Sequence, residues 1–213
     1  MSNELTDSKI QLALDWAYDK AINGIPKLDS AEDLGNDYLK REGELIDKVN
    51  SLIRWQNTKA ATSGFITGLG GLVVMPVAIP ANIASVMYVQ IRMIAAIAHM
   101  GGYNIRDDRV RTLVFACLAG DAVKDLLKDT GLIIGTKLAT NAIAGISGKT
   151  LTVINQKVGF RLVTKFGEKG AVNLGKMVPL LGGIIGGTVD GVATNIIGNV
   201  ARDTFIGSGR TGA

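Results

Sequence analysis

The residues of this chain that could carry nucleophilic or metal chemistry are few: one histidine, one cysteine and a scatter of serines among 213 residues. His99 closes an apolar run, and no second histidine or cysteine lies at a spacing that would complete a zinc site. A serine nucleophile needs a base in reach and a Gly-x-Ser-x-Gly elbow, which no serine here carries. Cys117 sits among Leu113, Val114, Phe115, Ala116 and Leu118, the setting of a buried, inert thiol. A single cysteine also excludes an internal disulfide. Two glycine motifs imitate phosphate cradles. Gly145-Ile-Ser-Gly148-Lys149-Thr150 ends like a P-loop, but position 143 is isoleucine and the preceding residues read as helix, not strand. Gly207-Ser-Gly209-Arg-Thr-Gly212 fits the dinucleotide pattern by letter, at the end of the chain with no helix after it. These residues predict no catalytic centre, no cofactor and no metal.

Charges set inside apolar runs are more informative. Arg92 interrupts Val89-Gln90-Ile91 and Met93-Ile94, and on a helix Ser85, Tyr88, Arg92 and His99 share one face. Asp121 continues the face of Leu113, Val114 and Cys117, and Asp190 interrupts a glycine-rich run. A lone buried charge is costly, so Arg92 is expected to pair with Asp121 or Asp190 and form a polar seam between apolar elements. The alternative is that each charge reaches solvent by itself.

The elements that must position these residues are helical throughout. Ile10, Ala13, Leu14, Ala17 and Ala21 recur at helical spacing, with Thr6 or Asp7 to cap the start and Gly24 and Pro26 to stop the helix. Ser30 with Asp33 opens a short second helix, and Leu45 to Ile53 marks a third that ends near Trp55. From Ala60 to Ile91 no residue is charged. Pro76 and Pro80 interrupt that stretch, which predicts a hairpin with arms Ser63–Met75 and Ala81–Met100. The first arm would be only about 20 Å long, short for a bilayer span and suited to a re-entrant wedge or a buried hairpin. Lys48, Arg54 and Lys59 before it and Arg106, Arg109 and Arg111 after it would keep both ends on the cytoplasmic face.

Gly101, Gly102 and Asn104 then form a turn, and Asp107 caps a helix running to about Asp129. Leu132–Ala144 and Leu151–Phe166 follow as helices. A second uncharged run lies between Lys176 and Asp190, opened by Pro179. There Gly182, Gly183, Gly186, Gly187 and Gly191 repeat small residues at four-residue spacing, echoed by Gly64 and Gly68. Glycine costs about 1 kcal/mol in a helix interior, so such a face implies close helix approach.

Composition agrees with tight helical packing. Glycine numbers 27, aromatics are 5% and apolar residues 47% of the chain, and mean hydropathy is +0.26. The net charge of +4 is dispersed, with no basic run interleaved with aromatics, which argues against nucleic-acid binding and allows weak attraction to anionic lipid. The N-terminus lacks an apolar core of secretory type, which predicts a protein kept on the cytoplasmic side.

Several longer motifs resemble the EcsC family. They are Ser51-Leu-Ile-Arg-Trp55-Gln, Lys59-Ala-Ala-Thr-Ser-Gly64-Phe-Ile-Thr-Gly-Leu-Gly-Gly71 and Pro76-Val-Ala-Ile-Pro80-Ala-Asn-Ile-Ala-Ser85, then Gln90-Ile-Arg92-Met-Ile-Ala-Ala, Gly101-Gly-Tyr103 and Arg111-Thr-Leu-Val. Lys165-Phe-Gly-Glu-Lys-Gly170 and Pro179-Leu-Leu-Gly-Gly183 through Asp190-Gly191 complete the likeness, which spans roughly Ser30 to Phe205. The resemblance implies a bacterial, membrane-linked helical protein accessory to transport, and it transfers no catalytic residue.

The expectation is therefore an all-α multi-helix bundle of seven to nine helices with two glycine-rich apolar hairpins. Residues 1–58 would form N-terminal amphipathic helices, 59–206 the glycine-rich core and 207–213 a disordered tail, together one structural unit. Its function would be non-enzymatic docking or insertion of the hairpins at a bilayer or an integral membrane partner, at the inner face of the bacterial membrane, with homo-oligomerisation left open. A membrane-permeabilising toxin and a hydrolase of unknown substrate are the alternatives.

Overall fold

The computed structural model describes residues 6–26, 28–61, 81–128, 140–166 and 185–207. Among the described residues the fold is all-α, with nine α-helices, one 3-10 turn and no strand. In chain order these are α1 (Asp7–Asn23), α2 (Ala31–Leu39), α3 (Leu45–Ala61), α4 (Ala81–Met100), α5 (Asp108–Cys117), the 3-10 turn Gly120–Ala122, α6 (Val123–Leu127), α7 (Thr140–Ala144), α8 (Gly148–Phe166) and α9 (Ile185–Phe205).

Local chemistry sets most of the boundaries. The Thr6 side chain accepts from the Lys9 amide at the start of α1, and Gly24, at φ 78°, ends it. Ser30 and Asp33 form a reciprocal capping box on α2, each side chain accepting from the other residue's backbone amide. The α4 terminus is a Schellman motif: the Tyr103 amide donates to the Ala98 carbonyl, and Gly102, at φ 86°, donates to His99. Asp107 then caps α5 by accepting from the Arg109 amide.

Two expected helices have other lengths. The third continues past Trp55 to Ala61, because its polar residues have a partner helix to meet: the Asn57 amide donates to Asn195 of α9, 3.0 Å away. The helix expected to run from Asp107 to Asp129 breaks after Cys117. Gly120 takes φ 61°, a 3-10 turn follows, and α6 starts afresh at Val123.

α4 is the axis of the bundle. Every residue from Met87 to Ala98 is buried, and α1, α2, α3, α5 and α9 all pack on it. A helix apolar on all sides belongs in such a position. Met87, Ile91, Met93, Ile94 and Ile97 are fully or almost fully buried, each contributing roughly 1.5–3 kcal/mol by area. One apolar cluster runs from Ile10 in α1 to Phe205 in α9, so the N-terminal helices share their core with the rest of the chain. α3 and α9 form the most extensive helix pair.

Candidate functional site

Register contacts between α3, α4 and α9 define the two ends of the bundle. Gln90 donates to Thr194, a Cβ at Gly198 would reach the Met93 methyl, and Gly101 meets the Phe205 carbonyl. α4 and α9 therefore run parallel. Along α3, Arg202 donates to Asn50, Gly198 lies against Ile53 and Asn57 donates to Asn195, so α3 is antiparallel to α9. It follows that the end of α3, the start of α4 and the start of α9 lie at one pole. Both uncharged stretches join the bundle there: one connects α3 to α4, and the other leads into α9. Toward this pole α9 exposes Val192 (63%).

Of the residues singled out in the sequence, Gly64, Gly68, Pro76, Pro80, Gly182 and Gly183 lie outside the described residues. Gly186 and Gly187 fall in the first turn of α9, and Asp190 in its second. Further along α9, at Gly198, backbone closeness is visible. A Cβ built there would stand 2.8 Å from Ile53 Cγ2 and 2.9 Å from its Cγ1. Gly35 brings α2 equally close to α4, with a Cβ 3.1 Å from the Ala96 carbonyl oxygen. No helix among the described residues is long and apolar enough to cross a membrane.

The polar seam takes a different form from the one expected. Arg92 is 5% exposed, and its Nε donates to the backbone carbonyl of Asp29 at 2.6 Å, in the loop between α1 and α2. Burial lowers its pKa, opposed by Tyr88, Asp29 and Asp33 nearby. Asp121 is exposed on the 3-10 turn and gives Arg92 no ion pair. The break at Gly120 takes Asp121 off the apolar face of α5. The helix register also sets Asp190 about seven residues, roughly 10 Å, along α9 from the level of Arg92. Tyr88, one turn before Arg92, is fully buried, and among the described residues its hydroxyl lacks a hydrogen-bond partner. Burial raises its pKa.

The remaining candidates are structural in their contacts. His99 Nε2 lies 2.8 Å from Asn36 Oδ1, joining α4 to α2. Cys117 is fully buried and donates to Thr204; burial pushes its thiol up to about 12. Within the P-loop-like run, Ser147 accepts from the Thr150 amide and so caps α8, and helix α7 precedes it. Gly207, at φ 101°, ends α9. No group of three metal-ligating side chains occurs among the described residues.

A feature the sequence reading missed lies on the flank formed by α2 and α3. Tyr38, Arg41, Ser51, Arg54, Trp55 and Thr58 line an open groove of about 410 Å³. The Arg41 guanidinium lies 3.6 Å over the Tyr38 ring and reaches Ser51 Oγ at 3.5 Å. Arg54 is exposed and Trp55 is 52% exposed. Among the described residues neither arginine has a carboxylate partner. Arg54-Trp55 was visible as a motif, but Arg41 sits after α2, and only the packing of α2 on α3 brings it there.

A model of the EcsC protein family matches residues 5–206, reaching further toward the N-terminus than the motifs first suggested. Comparison with curated proteins and with solved structures returns no match.

Proposed function

We propose that this chain, which belongs to the EcsC protein family, is a non-enzymatic helical protein that docks on the inner face of a bacterial membrane through one pole of its bundle. The observation that carries this reading is the shared attachment of the two uncharged, glycine-rich stretches where α3 ends and α4 and α9 begin. A bundle to which two uncharged sequences attach at one end has a single pole from which to meet an apolar environment. The exposed Val192 toward the same end adds to it. Lipid, or an integral membrane protein, is the partner whose surface suits such a face, and a role accessory to transport follows as part of this proposal. Prolines and glycines within the uncharged stretches fit a monotopic arrangement better than full spans.

Flotation of the purified protein with phosphatidylcholine vesicles, at low and at high salt, tests the proposal. Apolar docking predicts flotation that survives high salt. Absence of flotation at both salt levels, with anionic vesicles also failing, would overturn it.

A further inference from the structure

We propose that the α2–α3 groove binds the phosphate of an anionic lipid headgroup while the pole of the bundle is docked. This assignment rests on the membrane reading above. Its grounds are the groove's charge, its donor geometry and its position.

Two guanidinium groups face a groove that no carboxylate lines. Arg41 is held in place, stacked on Tyr38 and tied to Ser51, so little side-chain freedom is lost when it meets an anion. A planar guanidinium offers paired N–H donors that match the oxygens of a phosphate. The Ser51 hydroxyl accepts from Arg41, which leaves its hydrogen to donate. Arg54 approaches from the next turn of α3. A phosphodiester, with several acceptor oxygens, satisfies this donor set better than a single carboxylate.

Position decides between a lipid and a free phosphate. Trp55 borders the groove and keeps about half of its surface in water, the placement of an interfacial indole, apolar in body and polar at one edge. Arg54 and Trp55 precede Lys59, the last charged residue before the uncharged stretch, by five and four residues, or about 6–8 Å along the helix axis. The polar layer of a bilayer is roughly 5–8 Å deep on each side. With the uncharged stretch after Lys59 at the hydrocarbon boundary, the groove lies at the level of the headgroups. A free phosphate would gain nothing from the adjacent indole.

Vesicle partitioning of the full chain separates the outcomes. The probes are pure phosphatidylcholine vesicles and vesicles with one third phosphatidylglycerol. Wild type is compared with Arg41→Gln/Arg54→Gln and with a charge-matched control, Lys124→Gln/Lys128→Gln, whose lysines are exposed away from the groove. Each basic contact at an anionic surface is worth about fivefold in partitioning, so the arginine variant should bind the anionic vesicles about 30-fold more weakly at low salt. It should bind phosphatidylcholine as wild type does, and the lysine control should lose only a few-fold. All four arginine and lysine positions are exposed, so unchanged circular-dichroism melting verifies the folds.

Equal loss in the two variants, or no loss in either, would overturn the groove assignment while leaving membrane docking intact. No binding of wild type to either vesicle would remove the docking reading and this inference with it. A third arm titrates inorganic phosphate at constant ionic strength in a Trp16→Phe background, reading Trp55 emission. Saturable phosphate binding there, combined with wild-type vesicle binding by the arginine variant, would assign the groove to free phosphate and overturn the lipid assignment.

Discussion

Replacing Gly198 by alanine sets two effects of opposite sign against each other. In an exposed helix the change would stabilise by about 1 kcal/mol, because alanine loses less backbone freedom than glycine. At Gly198 the new methyl would stand 2.8 and 2.9 Å from two carbons of Ile53, with the Met93 methyl at 3.3 Å. Carbon pairs prefer about 3.5–4.0 Å, so the neighbours must give by most of an ångström. Ile53 is 2% exposed and branched at Cβ, which leaves it few ways to yield. Overpacking of this kind costs about 1–3 kcal/mol. The net expectation is a loss of about 1 kcal/mol.

The decisive comparison is the same substitution in an Ile53→Ala background. Ile53→Ala removes both clashing carbons and itself costs about 2–5 kcal/mol. There Gly198→Ala should become stabilising by about 1 kcal/mol, a change of sign and a coupling of about 2 kcal/mol. Urea unfolding followed by far-UV circular dichroism measures all four corners. A gain of about 1 kcal/mol from Gly198→Ala in the wild-type background would refute the close α3–α9 crossing.

Four further outcomes follow. Arg92→Glu places a carboxylate in the core facing Asp29 and Asp33 and should cost about 3–5 kcal/mol, whereas exposed Asp121→Asn should stay within about 0.5 kcal/mol; equal thermal melting of both variants would contradict the Asp29 contact. Ser30→Ala removes the α2 capping box and should lower Tm by about 2–4 °C. Hydrogen bonds from Ser30 depress the Asp33 pKa, so the contribution of that carboxylate is present above the ordinary aspartate range and lost as pH falls through the depressed value; in Ser30→Ala the acid limb of a melting-versus-pH curve should flatten, and an unchanged limb would count against the cap. Cys117, buried and with its thiol pushed up to about 12, should resist iodoacetamide at pH 8 in the native protein, with or without vesicles, and react on unfolding; labelling on vesicle addition would mean that docking opens α5 from α9.

The legible parts of this fold were those set by short-range chemistry. Thr6, the Ser30–Asp33 pair, Asp107 and Gly102 act within three or four residues, and the helices start or stop where they stand. The end of α3 was harder to read. Gln56 and Asn57 look like surface residues until α9 is laid against them. The break at Gly120 also carried a weak signal, since a lone glycine in a helical pattern is as often tolerated as obeyed. Arg92 was rightly read as a charge in an apolar helix, but its partner is a main-chain carbonyl, and every residue has one. No side-chain letter could point to Asp29. The groove failed for a related reason: Arg41 and Trp55 meet only through the α2–α3 packing angle, which hydrophobic periodicity does not encode.

The placement of α4 has a consequence for biosynthesis. This most apolar of the described helices is made well before part of its cover, α9. About 100 residues separate the ends of the two helices, so at about 5–20 residues per second the ribosome leaves α4 without that cover for roughly 5–20 s. α1, α2 and α3 have already emerged and can shield only the other sides. During that interval the nascent chain presents an apolar strip of the kind that trigger factors and targeting particles bind. Whether the protein reaches a bilayer or stays in water is thus open to influence before α9 leaves the exit tunnel.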